Sequence, residues 1–492
     1  MRVDFLTAFA FSCLVGTPAV ANDVVTYHNS QTRAGAYKVP DLTTKAAATM
    51  APDTGFNATV SGSVYAQPLY WHPQGQPGEL IVATENNVVY ALNAQTGAAI
   101  WHTALPAAVP LSDLACGDIN PEGITGTPAI DPGTGTLYFD ALTYTNNTVA
   151  QKIYAMSLTD GSVLSGWPLD VTSLLTGRNI SFSSRNQGER SAVLLLHGKL
   201  YVVYGGRYGD CQPYNGTVAE FDPASKTLAG VWQTRAGGGG IWAQGGIASD
   251  GGSLFVTTGN TFTSGTYGDG ESVERLKPGL ARLSADKDFY APANWLTLDN
   301  EDADLGGTEA LPVDVATSGG ATTPSVIAFG KDGNAYLLNR AKLGGIGGKA
   351  TIVQVSNTRI VTAPAVYATA KGDMVAFTNA SPVGCSGAGI MMIKLAPHAS
   401  SPISVAWCAA YSGDGSPIIT TTDGTANPIV WVVGAEGDGE LHGFDAKTGK
   451  VLFDGTGTTM TGTRHFSTIL ATEKHLYVPA DNKIYAFAFK HG

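Results

Sequence analysis

One short element recurs along this chain, and it constrains the architecture more than any other feature of the sequence. Val88-Val89-Tyr90-Ala91-Leu92-Asn93-Ala94-Gln95-Thr96-Gly97, closing at Trp101, returns as Glu440-Leu441-His442-Gly443-Phe444-Asp445-Ala446-Lys447-Thr448-Gly449. Looser copies stand at Lys152 to Trp167, Thr217 to Trp232, Gly279 to Leu283, Gly333 to Leu338, Gly389 to Leu395 and Lys483 to Phe489. That makes eight copies, spaced by roughly 43 to 65 residues. Most follow another apolar run, as at Leu80 to Ala83, Lys199 to Tyr204, Ser253 to Thr258, Ile429 to Gly434 and His475 to Pro479. The unit reads strand, turn, strand, turn, a small antiparallel sheet apolar on both faces that is stable only when stacked on its neighbours. Radial stacking satisfies all eight. A propeller blade takes four strands and roughly 40 to 50 residues, so eight blades need about 320 to 400, and the 492 residues leave room for long loops. The expected fold is therefore all-β, an eight-bladed β-propeller, with seven blades as the alternative. The run Val24 to Tyr27 has no repeat partner, so the two ends of the chain are expected to share one blade and fasten the ring.

Composition agrees with many short strands joined by turns. Charged residues are 14% and apolar ones 43%, with Gly 61 and Pro 25, which excludes disorder and coiled coil. The net charge of -11 offers no basic stripe to displace counterions, so a nucleic-acid partner is excluded. Arg2, the apolar run Phe5 to Gly16 and Ala19-Val20-Ala21 form the pattern of a secretory signal. Residues 1–21 are expected to be removed, leaving 22–492 as a single propeller domain, periplasmic or secreted, with no membrane span. Cys13 leaves with the signal. Cys116, Cys211, Cys385 and Cys408 remain, an even set for which disulfides in three pairings are open. Cys385 and Cys408 flank two strand-like runs, Gly389 to Leu395 and Ser401 to Trp407, which would bring them together.

The element Ala91 to Trp101 resembles the tryptophan-docking repeat of pyrroloquinoline quinone (PQQ) propellers, in which a Thr-Gly turn precedes a Trp packed between blades. Three further stretches resemble the quinoprotein alcohol dehydrogenases. In Gly237-Gly-Gly-Gly-Ile-Trp242, running on to Gly259-Asn260, the resemblance implies that Trp242 is the platform for the quinone and that Asn260 gives an oxygen to a calcium ion. A planar tricycle needs a flat aromatic face, and a hard cation takes a neutral oxygen among carboxylates. The plain alternative is a blade-packing Trp and a strand-ending Asn. In Asp299-Asn-Glu301-Asp302-Ala303-Asp304, the match implies that Asp302 is the base for the substrate hydroxyl and also meets the metal. Asp304 sits where lanthanide-using members add a carboxylate. The alternative is a structural acidic turn. In Gly330-Lys331-Asp332-Gly333-Asn334-Ala335-Tyr336, Lys331 would contact the quinone carbonyls and stabilise their developing charge, or else merely flank a hairpin.

The sequence also departs from that family. It has no adjacent Cys-Cys pair, and where the family's Glu metal ligand is expected the nearest residues are Asp210 and Cys211. Asp210 would substitute as ligand. A thiol there, or a disulfide from Cys211 to Cys116, would put soft sulfur where calcium wants oxygen. No Cys-x-x-Cys-His occurs, so no fused haem is expected, and electrons would leave to an external acceptor. Zinc spacings and a Gly-x-Ser-x-Gly elbow are also absent. The resemblance thus implies oxidation of a small-molecule alcohol or sugar with PQQ and Ca²⁺ or a lanthanide. The rival is a non-catalytic propeller binding a protein or glycan.

Overall fold

A computed structural model describes residues 23–211, 213–263, 265–282, 287–317, 320–455 and 457–490. The expected signal segment and Leu283 lie outside these. Among the described residues the chain makes eight sheets and three short α-helices, the sheets antiparallel but for two edge pairings, Ala36–Lys38 beside Ile418–Thr421 and Gly345–Ile346 beside Phe289–Ala291. Blade 1 comprises Leu69–Trp71, Glu79–Ala83, Val88–Asn93 and Ala99–Ala104. Blades 2 to 7 follow, their own first strands at Ala129–Asp131, Leu194–Leu196, Ala248–Ser249, Leu311–Ala316, Ala365–Thr369 and Ile418–Thr421, and blade 8 begins at Leu470–Ala471. The repeated element is the third strand of the blade. In blade 4 that strand is Ser272–Leu276, not the expected Gly279 to Leu283, and residues 279–282 belong to the turn after it. The apolar pattern fails there because Glu274 and Arg275 face charged partners, Arg282 and Asp288.

Each pair of neighbouring blades buries its own apolar cluster. Ile81 and Val89 of blade 1 meet Leu137 and Phe139 of blade 2, and Ile327 and Phe329 of blade 5 meet Val375 and Phe377 of blade 6. The cluster holding Trp431 of blade 7, Tyr477 of blade 8 and Leu80 of blade 1 joins the last blades to the first. The ring is closed.

Tryptophans pin these interfaces. Trp101 Nε1 donates to the Leu158 carbonyl of blade 2 at 2.9 Å, and Trp407 Nε1 of blade 6 to Ala446 of blade 7 at 2.9 Å. Gly449 in the receiving turn has φ +73°, and a Cβ there would lie 2.8 Å from the Trp407 ring. Both left-handed backbone and a missing side chain are required.

The two ends do share a blade, but not through Val24 to Tyr27. Ala51–Pro52 and Ala58–Thr59 pair with Lys483–Ala488 as the outermost strand of blade 8. Residues 24–36 are carried to the axis instead, because their groups are satisfied there by the inner edges of the blades. Val24 pairs with Tyr70, Val25 accepts from Ile130 N–H, Gln31 from Ser249, Ala34 from Val366 and Gly35 from Ile419. Arg33, fully buried, donates to the carbonyls of Ile247, Ala192 and Val193. His28 Nε2 lies 3.0 Å from Thr468 Oγ1. This segment floors the central channel. Tyr27 shares a hollow of about 20 Å³ with Thr125, Arg190, His465 and Phe466, all of which also line the large cavity above it.

Candidate active site

That cavity has a volume of about 830 Å³ and is lined by loops that connect the inner strands. The site begins with the glycine run before Trp242. Gly238 and Gly239 have φ +84° and +66°, and a Cβ at Gly238 would lie 2.7 Å from the Asn260 carbonyl. The run can therefore thread between two segments: Gly238 N–H donates to Tyr214 O, Gly239 N–H to Asn260 O, and Gly240 O accepts from Gly259 N–H. Trp242 emerges on the cavity wall rather than between blades, with Lys331 Nζ 5.2 Å from its ring centroid, in the range of a cation over an aromatic face.

Asn260 follows the strand Leu254–Thr258, and its backbone N–H donates to Asp304 Oδ1 at 2.9 Å. Asp302 caps the helix Trp295–Glu301 in left-handed conformation, φ 53°. That helix is tied to the Asn260 loop by Asp299, which accepts from Thr261 N–H and Oγ1. Asp304 is buried, its side chain 4% exposed, whereas that of Asp302 is 70% exposed to the open cavity. Glu271 holds the following residue by accepting from Leu305 N–H at 2.6 Å.

Lys331 joins the two aspartates. Its Nζ lies 2.7 Å from Asp302 Oδ1 and 2.7 Å from Asp304 Oδ2, and its backbone N–H donates to Asp304 O. Burial pulls the ammonium down, but Asp304 and Asp302 outweigh it and hold Lys331 above its ordinary pKa. Asp210 lies on the same cavity. Burial raises its pKa, a hydrogen bond from Tyr214 Oη at 2.8 Å opposes that rise, and the charges of Asp304 and Asp302 add to it. Every residue singled out in the sequence, Trp242, Asn260, Asp302, Asp304, Lys331 and Asp210, thus lines one cavity.

Cys116 and Cys211 form a disulfide beside Asp210, their neighbours Gly117 and Gly209 lining the cavity. Cys211 is therefore no metal ligand, and the hard donors near it are Asp210 and Asn260. Cys385 and Cys408 are also joined, as the flanking strands suggested. Glu122, Glu189, Arg190, Arg207, Arg359 and His465 line the cavity too. They escaped sequence reading because they sit in single-copy connections outside the repeat, where no spacing marks them.

No family model and no curated protein matches the chain. Among solved structures, the quinohemoprotein alcohol dehydrogenase from Comamonas testosteroni matches at TM-score 0.66 and 15% identity, over 95% of this chain and 80% of that one. A europium-containing methanol dehydrogenase matches at TM-score 0.65 and 14% identity, over 95% and 98%. The chain has the eight-bladed propeller fold of these quinoprotein dehydrogenases. A third example, a quinohemoprotein alcohol dehydrogenase from Pseudomonas putida HK5, matches at TM-score 0.64 and 14% identity, over 96% of this chain and 80% of that one. At such identities the shared property is the quinoprotein propeller fold, and chemistry has to be argued from the cavity itself. None of the described helices is long and apolar enough to cross a membrane.

Proposed function

We propose that this protein is an exported quinoprotein dehydrogenase that oxidises an alcohol or sugar to a carbonyl, working in the periplasm or outside the cell with an external electron acceptor. The observation that carries the reading is the meeting, in one cavity, of an aromatic face, a lysine and several hard oxygen donors drawn from separate blades. The donor set fits the implied groups by its chemistry. Trp242 offers the flat face for PQQ. Asn260 and Asp302, with Asp304 and Asp210, offer oxygens of the kind calcium or a lanthanide takes. Among the described residues no three His, Cys, Asp or Glu side chains are grouped to hold a metal, and Lys331 pairs with Asp302 and Asp304, so an ion would need Asn260 and would have to share these carboxylates with the ammonium.

The quinone, when bound, supplies a two-electron acceptor that the ion polarises. The chain's own part is acid–base and positional. Asp302, exposed to the cavity, takes the substrate hydroxyl proton onto a carboxylate oxygen. Lys331 holds that carboxylate in place, and stabilises negative charge above Trp242. Asp304 is fixed by the Asn260 N–H and positions Lys331.

One observation favours the rival reading, a non-catalytic propeller whose face binds a protein or glycan: Cys211, beside Asp210, is locked in a disulfide and adds no ligand. The deciding experiment adds PQQ and Ca²⁺ to the purified protein, follows the quinone absorbance, and then tests alcohols and sugars with a reducible dye. Binding followed by substrate-dependent dye reduction is expected. Absence of quinone binding in the presence of Ca²⁺ or a lanthanide rejects the enzyme and leaves the scaffold.

A further inference from the structure

The wall of the cavity also carries a buried ion pair whose hydrogen-bonding capacity is largely unused. Arg207 follows the strand Lys199–Gly206, and its Nη2 lies 2.9 Å from Glu122 Oε1, with the two side chains 3% and 9% exposed. Burial lowers the pKa of Arg207 and raises that of Glu122, each partly offset by the partner's charge. The contact engages one nitrogen only. That contact is an ion pair without hydrogen-bond geometry, so none of the three Arg207 nitrogens has a hydrogen-bond acceptor among the described residues, and neither Oε1 of the buried Glu189 nor Oε1 of Glu85 has a donor. Arg207, Glu122 and Glu189 all line the cavity. The pair is reached past Gly188, where a Cβ would stand 3.1 Å from Glu122 Oε1 and 3.3 Å from Arg207 Nη1.

Two properties of this wall select a ligand. Its charge is already balanced within the pair, so a net anion or cation gains little. Its hydrogen-bonding capacity is open in both senses, donors on Arg207 and an acceptor on Glu189, both on the lining of one cavity. The group that accepts and donates through one oxygen is the hydroxyl, and adjacent hydroxyls match adjacent donors and acceptors. An apolar alkanol would instead leave these buried groups unpaired, which costs affinity. Phe466, with Arg190 5.7 Å from its ring centroid, adds an aromatic surface to the same cavity. We infer that the Arg207–Glu122–Glu189 wall binds a neutral polyhydroxylated ligand, a sugar or polyol. As a statement about substrate it rests on the dehydrogenase reading; as a statement about binding it stands without it.

The test uses the purified full chain without added quinone or metal, with D-glucose and D-sorbitol as probes and 1-butanol as the monohydric comparison, read by saturation-transfer NMR. At least one polyol should bind saturably and 1-butanol should not. Gly188→Ala, which covers the pair without removing a charge, should weaken that binding at least tenfold. The paired Arg207→Gln, Glu122→Gln variant, which leaves no lone buried charge, should do the same, and both variants should melt as one cooperative transition. No saturable signal from either polyol, or unchanged binding in Gly188→Ala, overturns the inference. Polyol binding without any PQQ- and Ca²⁺-dependent oxidation upholds it and rejects the dehydrogenase. Oxidation of 1-butanol by the loaded protein with no polyol binding does the reverse.

Discussion

At the scale of single residues, the cavity depends on charges held in particular states. Asp302 is the one carboxylate of the Lys331 pair that is open to the cavity, so Asp302→Asn should lower quinone-dependent dye reduction about 100-fold or more. The circular dichroism spectrum should be unchanged, since Asp304 keeps the backbone contacts. An unchanged rate would remove Asp302 from the mechanism. Further from the cavity centre, burial pushes Glu85 up to about 8 and Asp140 up to about 7, with hydrogen bonds from Gly123 and Gln151 only partly opposing it. Glu309 is likewise pushed up to about 7 by burial. A carboxyl whose folded pKa is raised contributes stability below its unfolded pKa, and that contribution is lost as pH rises through the folded value. The melting temperature should therefore fall between about pH 5 and pH 8. Glu85→Gln should flatten that slope, and a melting temperature that rises over the same range would contradict the buried, protonated state.

Elements repeat the same device eight times with different fillings. In blades 1 and 6 a Trp docks on the next blade, while the Gly97 turn of blade 1 is packed by the backbone of residues 57 and 58 from the N-terminal strand, 2.6 Å from a would-be Cβ. Trp407→Ala should cost about 3 kcal/mol, and Gly449→Ala about 2 kcal/mol or more, because it forces a left-handed alanine against the indole. Urea unfolding of both variants checks these values. A loss under about 0.5 kcal/mol in Gly449→Ala would mean the turn can relax. This scale was legible in the sequence wherever a third strand was apolar, as at Val88–Asn93 and Leu441–Asp445. It failed at Ser272–Leu276, where the buried Glu274 and the partly buried Arg275 pair with Arg282 and Asp288, so hydrophobic periodicity had nothing to mark. In the cavity, Trp242, Asn260 and Lys331 were legible because they belong to motifs with fixed neighbours. Arg207 and Glu122 were not, since two residues 85 positions apart (207 minus 122) announce no pairing until the blades stack.

For the whole molecule, the covalent ties and the shared blade carry the ring. The Cys116–Cys211 bridge spans 95 residues and Cys385–Cys408 spans 23. By loop entropy alone, replacing both cysteines by serine should cost about 4 to 5 kcal/mol for the longer loop and about 3 for the shorter, measurable as a drop in denaturation midpoint. Equal losses would argue that local packing rather than loop length sets the effect. Removing residues 51–59 should unfold the protein cooperatively rather than blade by blade, since blade 8 loses its outer strand and blade 1 its neighbour. Nothing in the repeat identified Ala51–Pro52 and Ala58–Thr59 as that strand. They are too short to show alternation, and Val24 to Tyr27 instead leads a segment drawn to the axis by backbone groups of six blades.

That floor across the channel has a consequence in time. Residues 24–49 precede all eight blades in the chain, yet His28 meets Thr468 and Thr49 meets Lys490, 440 and 441 positions away. Any intermediate that lacks blade 8 therefore carries an unseated strap and an open sheet edge, and the ring locks only when blade 8 is in place. Folding of so non-local a topology is slow, and slow closure leaves a window in which the chain is still thread-like. Export of the unfolded chain, as the proposed function has it, would use such a window, and the delay is written into which blades the strap residues hold.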